Sequence, residues 1–257
     1  MPASSSTPKS TPKPMHAPAA HASSPAQNAS VTRFIRQTFT IAAKDLRAEL
    51  RTKEALNASL AFSIVILVLF SFAFDPTSEQ FADFSGGLLW MVYAFAGALV
   101  LNRSFARELH NDCLDALIAS PVPTGALFLG KALANYALLL VVEAVSLAVF
   151  ALFYDAHFWA QLGPIALVIA LGTWAMTVIG TMFSALTVNL RMRELMLPIL
   201  VYPLLIPVLM AAMTLTTDLI SGTPLGGDNL IWMRVLVAFN VIFTTLTVVF
   251  IDVVLVG

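Results

Sequence analysis

Residues 44–75 read KDLRAELRTKEALNASLAFSIVILVLFSFAFD, and this stretch decides the fold. A charged segment ends at Glu54, the residues 55–74 carry no charge at all, and Asp75 closes the run. A hydrocarbon core about 30 Å thick is crossed by about 20 apolar residues in a helix, so 55–74 predicts a membrane span. Five further stretches are apolar over similar lengths: 84–101, 132–153, 162–186, 195–215 and 231–254. The whole chain is 58% hydrophobic and 11% charged, against about 25% charged residues in a soluble domain. The fold class is therefore an all-α integral membrane protein. The six transmembrane helices fall within 55–257, and the connections between them are too short to hold a second folded domain.

The charges orient this bundle. Thirteen of the fourteen Lys and Arg residues lie in the N-terminal tail or on alternate connections. Arg33, Arg36, Lys44, Arg47, Arg51 and Lys53 precede the first span; Arg103, Arg107 and Lys131 follow the second; Arg191 and Arg193 follow the fourth. The other connections hold Asp75, Glu79, Asp83, Asp155, Asp218 and Asp228 and no basic residue, and only Arg234, at the start of the last span, departs from the pattern. Basic connections stay in the cytoplasm, so both termini are expected there.

The remaining segments have their own chemistry. Residues 1–32, rich in Ala, Pro, Ser, Thr and Lys, cannot bury enough surface to offset the entropy of ordering and predict a disordered cytoplasmic tail. They lack the apolar centre of a signal peptide. Between 33 and 54, Ile35, Phe39, Ala42, Ala43, Leu46 and Leu50 recur at helical spacing among basic residues, which predicts an interfacial amphipathic helix rather than an extension of the first span. The second span is short; its flank at 84–87 is expected to fray, and Trp90 and Tyr93 fit an aromatic belt at the outer surface. Gly172, Gly180 and Ser184 in the fourth span permit close helix contact, or are simply tolerated there. Pro198, Pro203 and Pro207 make three candidate kinks in the fifth span, serving either a moving element or static packing.

Few residues carry recognisable chemistry. Gly125-Ala-Leu-Phe-Leu-Gly130-Lys131-Ala132 nearly matches a phosphate-binding loop, but Ala132 stands where the magnesium-holding Ser or Thr belongs, no strand precedes it and a span follows. Lys131 is read instead as a side chain snorkelling to the cytoplasmic surface. His16, His21, His110 and His157 are too dispersed to converge on a metal, and the lone Cys113 excludes a disulfide framework and a haem-attachment CxxCH. No HExxH, GxSxG or paired acidic motif falls in the spans, so no catalytic site is expected. Glu143 and Asn240 are the intramembrane polar residues of note. A carboxylate at mid-span costs a few kcal/mol, on the order of 3 on insertion scales, and needs a partner. Asn240 and Arg234, or Thr173 and Thr177, are the conceivable ones. The role of Glu143 stays open between a substrate path or subunit contact and a structural hydrogen bond.

The longest cytoplasmic connection, 102–130, places Leu109, Leu114, Leu117 and Ile118 on one helical face among charges, with Ser120-Pro121 as its end. Seven segments together, in order, resemble the CcmB family: Lys44-Asp-Leu-Arg-Ala-Glu-Leu-Arg-Thr-Lys-Glu54, Phe105-Ala-Arg-Glu108, Leu117-Ile-Ala-Ser-Pro121, Leu129-Gly-Lys-Ala-Leu133, Arg193-Glu-Leu-Met-Leu-Pro-Ile-Leu200, Pro203-Leu-Leu-Ile-Pro207 and Ala238-Phe-Asn-Val-Ile-Phe243. The resemblance covers about 32–255. It departs at Leu109-His-Asn-Asp-Cys113, where the family carries further charges and an Asp-Gly turn.

The resemblance implies a type-2 ABC exporter-like permease of the bacterial inner membrane, acting in haem delivery and cytochrome c maturation. A separate CcmA-like subunit would hold the ATP and dock on Arg107, Glu108, Asp112, Leu114, Asp115 and Leu117. CcmC-like and CcmD-like membrane subunits and a periplasmic CcmE-like haem chaperone would handle the haem. The chain itself would have no cofactor, no metal and no nucleic-acid partner, and would meet only membrane lipid and protein. A general type-2 exporter permease for another substrate, or a haem-handling scaffold that does not transport, remains an alternative.

Overall fold

A computed structural model describes residues 25–75, 78–104, 122–154, 159–187, 192–227 and 229–256. The described residues form seven α-helices: α1 (Pro25–Thr52), α2 (Glu54–Ala73), α3 (Glu79–Leu101), α4 (Thr124–Phe153), α5 (Leu162–Thr187), α6 (Arg193–Ile220) and α7 (Asn229–Val256), with a 3-10 turn at Trp159–Gln161. Each of the six apolar stretches falls on one of α2 to α7, the first overrunning α2 by the single residue Phe74, and all six helices are long and apolar enough to cross a membrane. The all-α, multi-pass membrane architecture read from the sequence is the one observed.

Side-chain pairings give the direction of each helix. Ser59 and Phe62 of α2 meet Ala96 and Phe95 of α3, while Phe74 meets Phe84, so these two run antiparallel. Trp90, Gly97 and Leu101 of α3 pack in order on Gly172, Met176 and Gly180 of α5, a parallel pairing. Leu171 and Trp174 of α5 bond Asn240 and Thr244 of α7, again in parallel. The chain therefore threads the bilayer alternately. The end of α3, the start of α4 and the end of α5 share one face of the bundle, the one carrying the basic residues.

The most enclosed span is α3, the one the sequence ranked weakest. It begins at Glu79, capped by the Ser78 hydroxyl, which accepts from the Phe81 amide at 3.2 Å. Trp90 and Tyr93 are buried in the core and form no outer belt. The Trp90 indole donates to Thr216 Oγ1 at 2.9 Å, and Tyr202 of α6 donates to the Ala94 carbonyl at 2.8 Å. Gly86 lies so close to Thr217 and the Met213 carbonyl that a Cβ would overlap them. The aromatic and small residues of α3 serve helix contact, and a charged flank that is exposed at Asp83 disguised this.

Two further boundaries differ from expectation. Helix α1 starts at Pro25, inside the stretch read as tail, because proline suits a first helical position and the Ala-Gln-Asn-Ala that follows tolerates helix. It ends at Thr52, and Lys53 adopts left-handed backbone (φ 53°) that breaks α1 from α2. The two are separate helices, as the amphipathic pattern required. One side of α1 faces α4 through Phe34, Thr38, Ile41 and Asp45. Val31, Ile35 and Phe39 form an exposed row on the other. Helix α6 runs without interruption through Pro198, Pro203 and Pro207.

Candidate functional site: a polar membrane core and a cytoplasmic-face junction

Two groups of buried polar residues in the bundle are built around an ionisable side chain. The first surrounds Glu143, which is 1% exposed at mid-span on α4. The Thr173 hydroxyl of α5 donates to Glu143 Oε2 at 2.6 Å, and Tyr93 of α3 donates to the Glu143 carbonyl at 3.2 Å. Thr177 turns away and donates to the Thr173 carbonyl at 2.7 Å. Of the conceivable partners, Thr173 is the one that reaches the carboxyl. Arg234 sits exposed on α7, and Asn240 donates to the carbonyls of Leu171 and Leu236 at 3.1 and 2.8 Å. Among the described residues no Lys or Arg pairs with Glu143. Glu143 joins α4 to α5 through its carboxyl and to α3 through its backbone carbonyl, by hydrogen bonds alone among the described residues.

The second group lies where α3 ends and α4 begins. Lys131, two turns into α4, is 1% exposed. Its Nζ donates to Asp45 Oδ2 of α1 at 3.1 Å and to the Ser104 carbonyl at 3.0 Å. The expectation that Lys131 snorkels to the surface is wrong, because Asp45 and Ser104 solvate its charge inside the protein. Asn135, one turn further along α4, donates to Ser104 Oγ at 2.8 Å and to Thr181 Oγ1 of α5 at 3.0 Å. The neighbouring Arg103 pairs with Glu54 at the start of α2 at 2.7 Å. Gly130 brings α1 and α4 into register here: a Cβ on it would meet Ile41 Cβ at 2.7 Å and the Thr38 carbonyl at 2.9 Å. The near-match to a phosphate loop, residues 125–131, is thus two turns of helix packed on α1.

Glu49 completes the junction. It is 3% exposed, and its Oε1 accepts from the amides of Ala55 and Leu56 at 2.8 and 3.1 Å. A carboxylate from the preceding helix thereby caps the open amides at the start of α2, where the helix dipole favours negative charge.

Asp45, Glu49, Ser104, Asn135 and Thr181 were not singled out from sequence. Asp45 and Glu49 belong to the 44–54 stretch that carries the family resemblance. Ser104, Asn135 and Thr181 are ordinary polar residues, and only the fold brings them together. Arg107, Glu108, Asp112, Leu114, Asp115 and Leu117 lie outside the described residues.

A third feature is an apolar cavity of about 260 Å³ between α3 and α6, lined by Gly87, Trp90, Met91, Ala94, Phe95, Tyr202, Leu209 and Met213.

Comparison with known proteins supplies the context. The family model for CcmB protein matches residues 36–253. The chain is 35% identical over 170 residues to Heme exporter protein B of Rhodobacter capsulatus, which covers 65% of this chain and 76% of the relative. It is 29% identical over 203 residues to Heme exporter protein B of Pseudomonas aeruginosa, covering 79% of this chain and 90% of the relative. The corresponding protein of Escherichia coli K12 is 30% identical over 171 residues, covering 65% and 76%.

Proposed function

The chain belongs to the CcmB family, and on that premise we propose that it is the membrane permease subunit of an ABC complex for haem export in cytochrome c maturation. The observation that carries this reading is the match over 36–253, which spans all six membrane helices and the junction beneath them. The subunit has no nucleotide site of its own; a separate CcmA-like ATPase supplies the energy. That ATPase docks on the 105–121 segment, through Arg107, Glu108, Asp112, Leu114, Asp115 and Leu117. CcmC-like and CcmD-like subunits sit beside it in the membrane, and hydrolysis drives haem export or the release of a haem-loaded CcmE-like chaperone. The protein lies in the bacterial inner membrane with both termini in the cytoplasm, in keeping with the basic junction face.

Coupling requires that the ATPase touch this segment differently in its two nucleotide states, since only a difference in contact shifts a conformational equilibrium. Reversing the charges at Arg107 and Glu108 together is expected to leave membrane insertion intact and uncouple ATP hydrolysis from cytochrome c maturation. Normal maturation in that double variant would remove the segment from the mechanism. Purification of the wild-type chain with an ATPase of different specificity, and no haem-handling subunits, would favour a general exporter instead.

A further inference from the structure

We propose that the outer side of α1 is a binding surface for anionic phospholipid, with an apolar stripe that enters the acyl layer and an arginine stripe beside it that meets the phosphates. A helix turns about 100° per residue, and this sorts α1 into three sides. Phe34, Thr38, Ile41 and Asp45 fall on the first and pack on α4. Val31, Ile35, Phe39 and Leu50 fall on the second and are 48–62% exposed. Arg33, Arg36, Arg47 and Arg51 fall on the third, all of them exposed. Thr40 and Lys44 fill the gap in that third stripe, so it continues at unbroken helical spacing from Arg33 to Arg51, about 27 Å of helix. Charge is segregated as well. The two acidic residues of α1 are engaged elsewhere: Asp45 pairs with Lys131 at 3.1 Å and with Lys44 at 3.0 Å, and Glu49 caps α2. Among the described residues, no acidic side chain pairs with Arg33, Arg36, Arg47 or Arg51.

The level of α1 supplies the occupant. The helix rests on the first two turns of α4: Phe34 meets Gly125, Thr38 and Ile41 meet Gly130, and Asp45 meets Lys131. Those turns precede the apolar run 132–153, so the contact lies where the span leaves the hydrocarbon. Head-group phosphates and the upper acyl layer adjoin at that depth. A bilayer surface thus presents negative charge and hydrocarbon side by side, the two chemistries that α1 exposes side by side. Arg36 and Arg47 border the apolar stripe and are placed to reach a phosphate directly, where a guanidinium can bond two oxygens at once. Arg33 and Arg51 stand one step further round and add to the positive field. A neutral lipid surface would satisfy the apolar stripe and leave the four arginines without a counter-charge, so the surface selects anionic lipid.

The test titrates the full chain, purified in detergent, with phosphatidylglycerol and, as the neutral control, with phosphatidylcholine; native mass spectrometry counts the bound lipid. Phosphatidylglycerol is expected to bind more tightly. Arg36→Gln and Arg47→Gln are each expected to weaken it about fivefold, and the double variant to bind the two lipids alike. Arg234→Gln, which changes the exposed arginine of α7, is expected to leave the preference unchanged, and a loss there would place the site elsewhere. The apolar stripe is read separately in vesicles. A nitroxide attached to the Phe39→Cys, Cys113→Ser chain is expected to be relaxed more by oxygen than by a water-soluble nickel chelate. Equal affinity of the wild-type chain for the two lipids, or a preference that survives in the double variant, overturns the surface. So does a nitroxide that the chelate reaches more readily than oxygen does. A double variant that keeps its lipid preference and recovers less of a soluble partner subunit overturns it in favour of a protein contact.

Discussion

At the scale of single residues, the buried polar groups matter most. Glu143 has one strong partner, Thr173, and no cation beside it among the described residues. Glu143→Gln keeps an oxygen for Thr173 to bond and is expected to behave close to wild type. Thr173→Val keeps the shape and removes the donor, and a buried carboxyl left without it costs about 1–3 kcal/mol. Thermal melting of the detergent-solubilised protein reads the difference; equal melting of Thr173→Val and wild type would show the bond to be dispensable. Packing gives a second residue-scale prediction. A Cβ at Gly172 would overlap the Trp90 indole, whereas Gly163 has open space around it. Gly172→Ala is expected to lower stability by about 1–3 kcal/mol through overpacking, and Gly163→Ala to leave it nearly unchanged. Sequence alone offered Thr173 as one of several partners for Glu143 and left Gly172 between contact and tolerance. Neither alternative is decidable from one chain position, because each depends on which residue of another helix stands opposite.

At the scale of elements, the junction of α1 and α2 is the most specific device. Lys53 holds a left-handed conformation, which costs an L-residue with a Cβ about 1–2 kcal/mol. Lys53→Gly is expected to be neutral or stabilising by up to about 1 kcal/mol. Glu49→Ala, which uncaps α2, is expected to destabilise by about 1–2 kcal/mol, in the range of other lost caps. Melting of both variants checks the pair, and a stabilising Glu49→Ala would contradict the capping role. The six spans were legible because twenty-residue apolar runs report solvent preference directly. The role of α3 was not. Its Trp90 and Tyr93 satisfy a membrane-belt pattern and a core pattern equally well, and only the neighbours Thr216 and Glu143 decide between them. The prolines of α6 were legible as residues that remove amide donors. That the helix continues past them follows from the long run of apolar contacts on its inner face, at Leu197, Val201, Leu205 and Val208.

At the scale of the molecule, charge distribution and threading agree. The cytoplasmic face is expected to hold Ser104, Lys131 and both chain ends. Cys113 is the sole cysteine, so a membrane-impermeant maleimide has one target. It is expected to label Cys113 in inverted vesicles and not in intact cells; labelling from outside would reverse the topology. The family relationship was legible because its residues are spread along 32–255 in order. The junction was not legible, since it joins α1, α2, α3, α4 and α5 across distances in sequence that no local pattern spans.

The glycines of α5 limit how such a bundle can change shape. The Trp90 and Leu101 side chains are seated directly against Gly172 and Gly180, with no side chain of α5 at those two positions to act as a bearing. Sliding α3 along α5 by one residue would drive a side chain into the indole, so these two helices form a stator. Any relative movement within the bundle is expected to be taken up by the helices around that fixed axle.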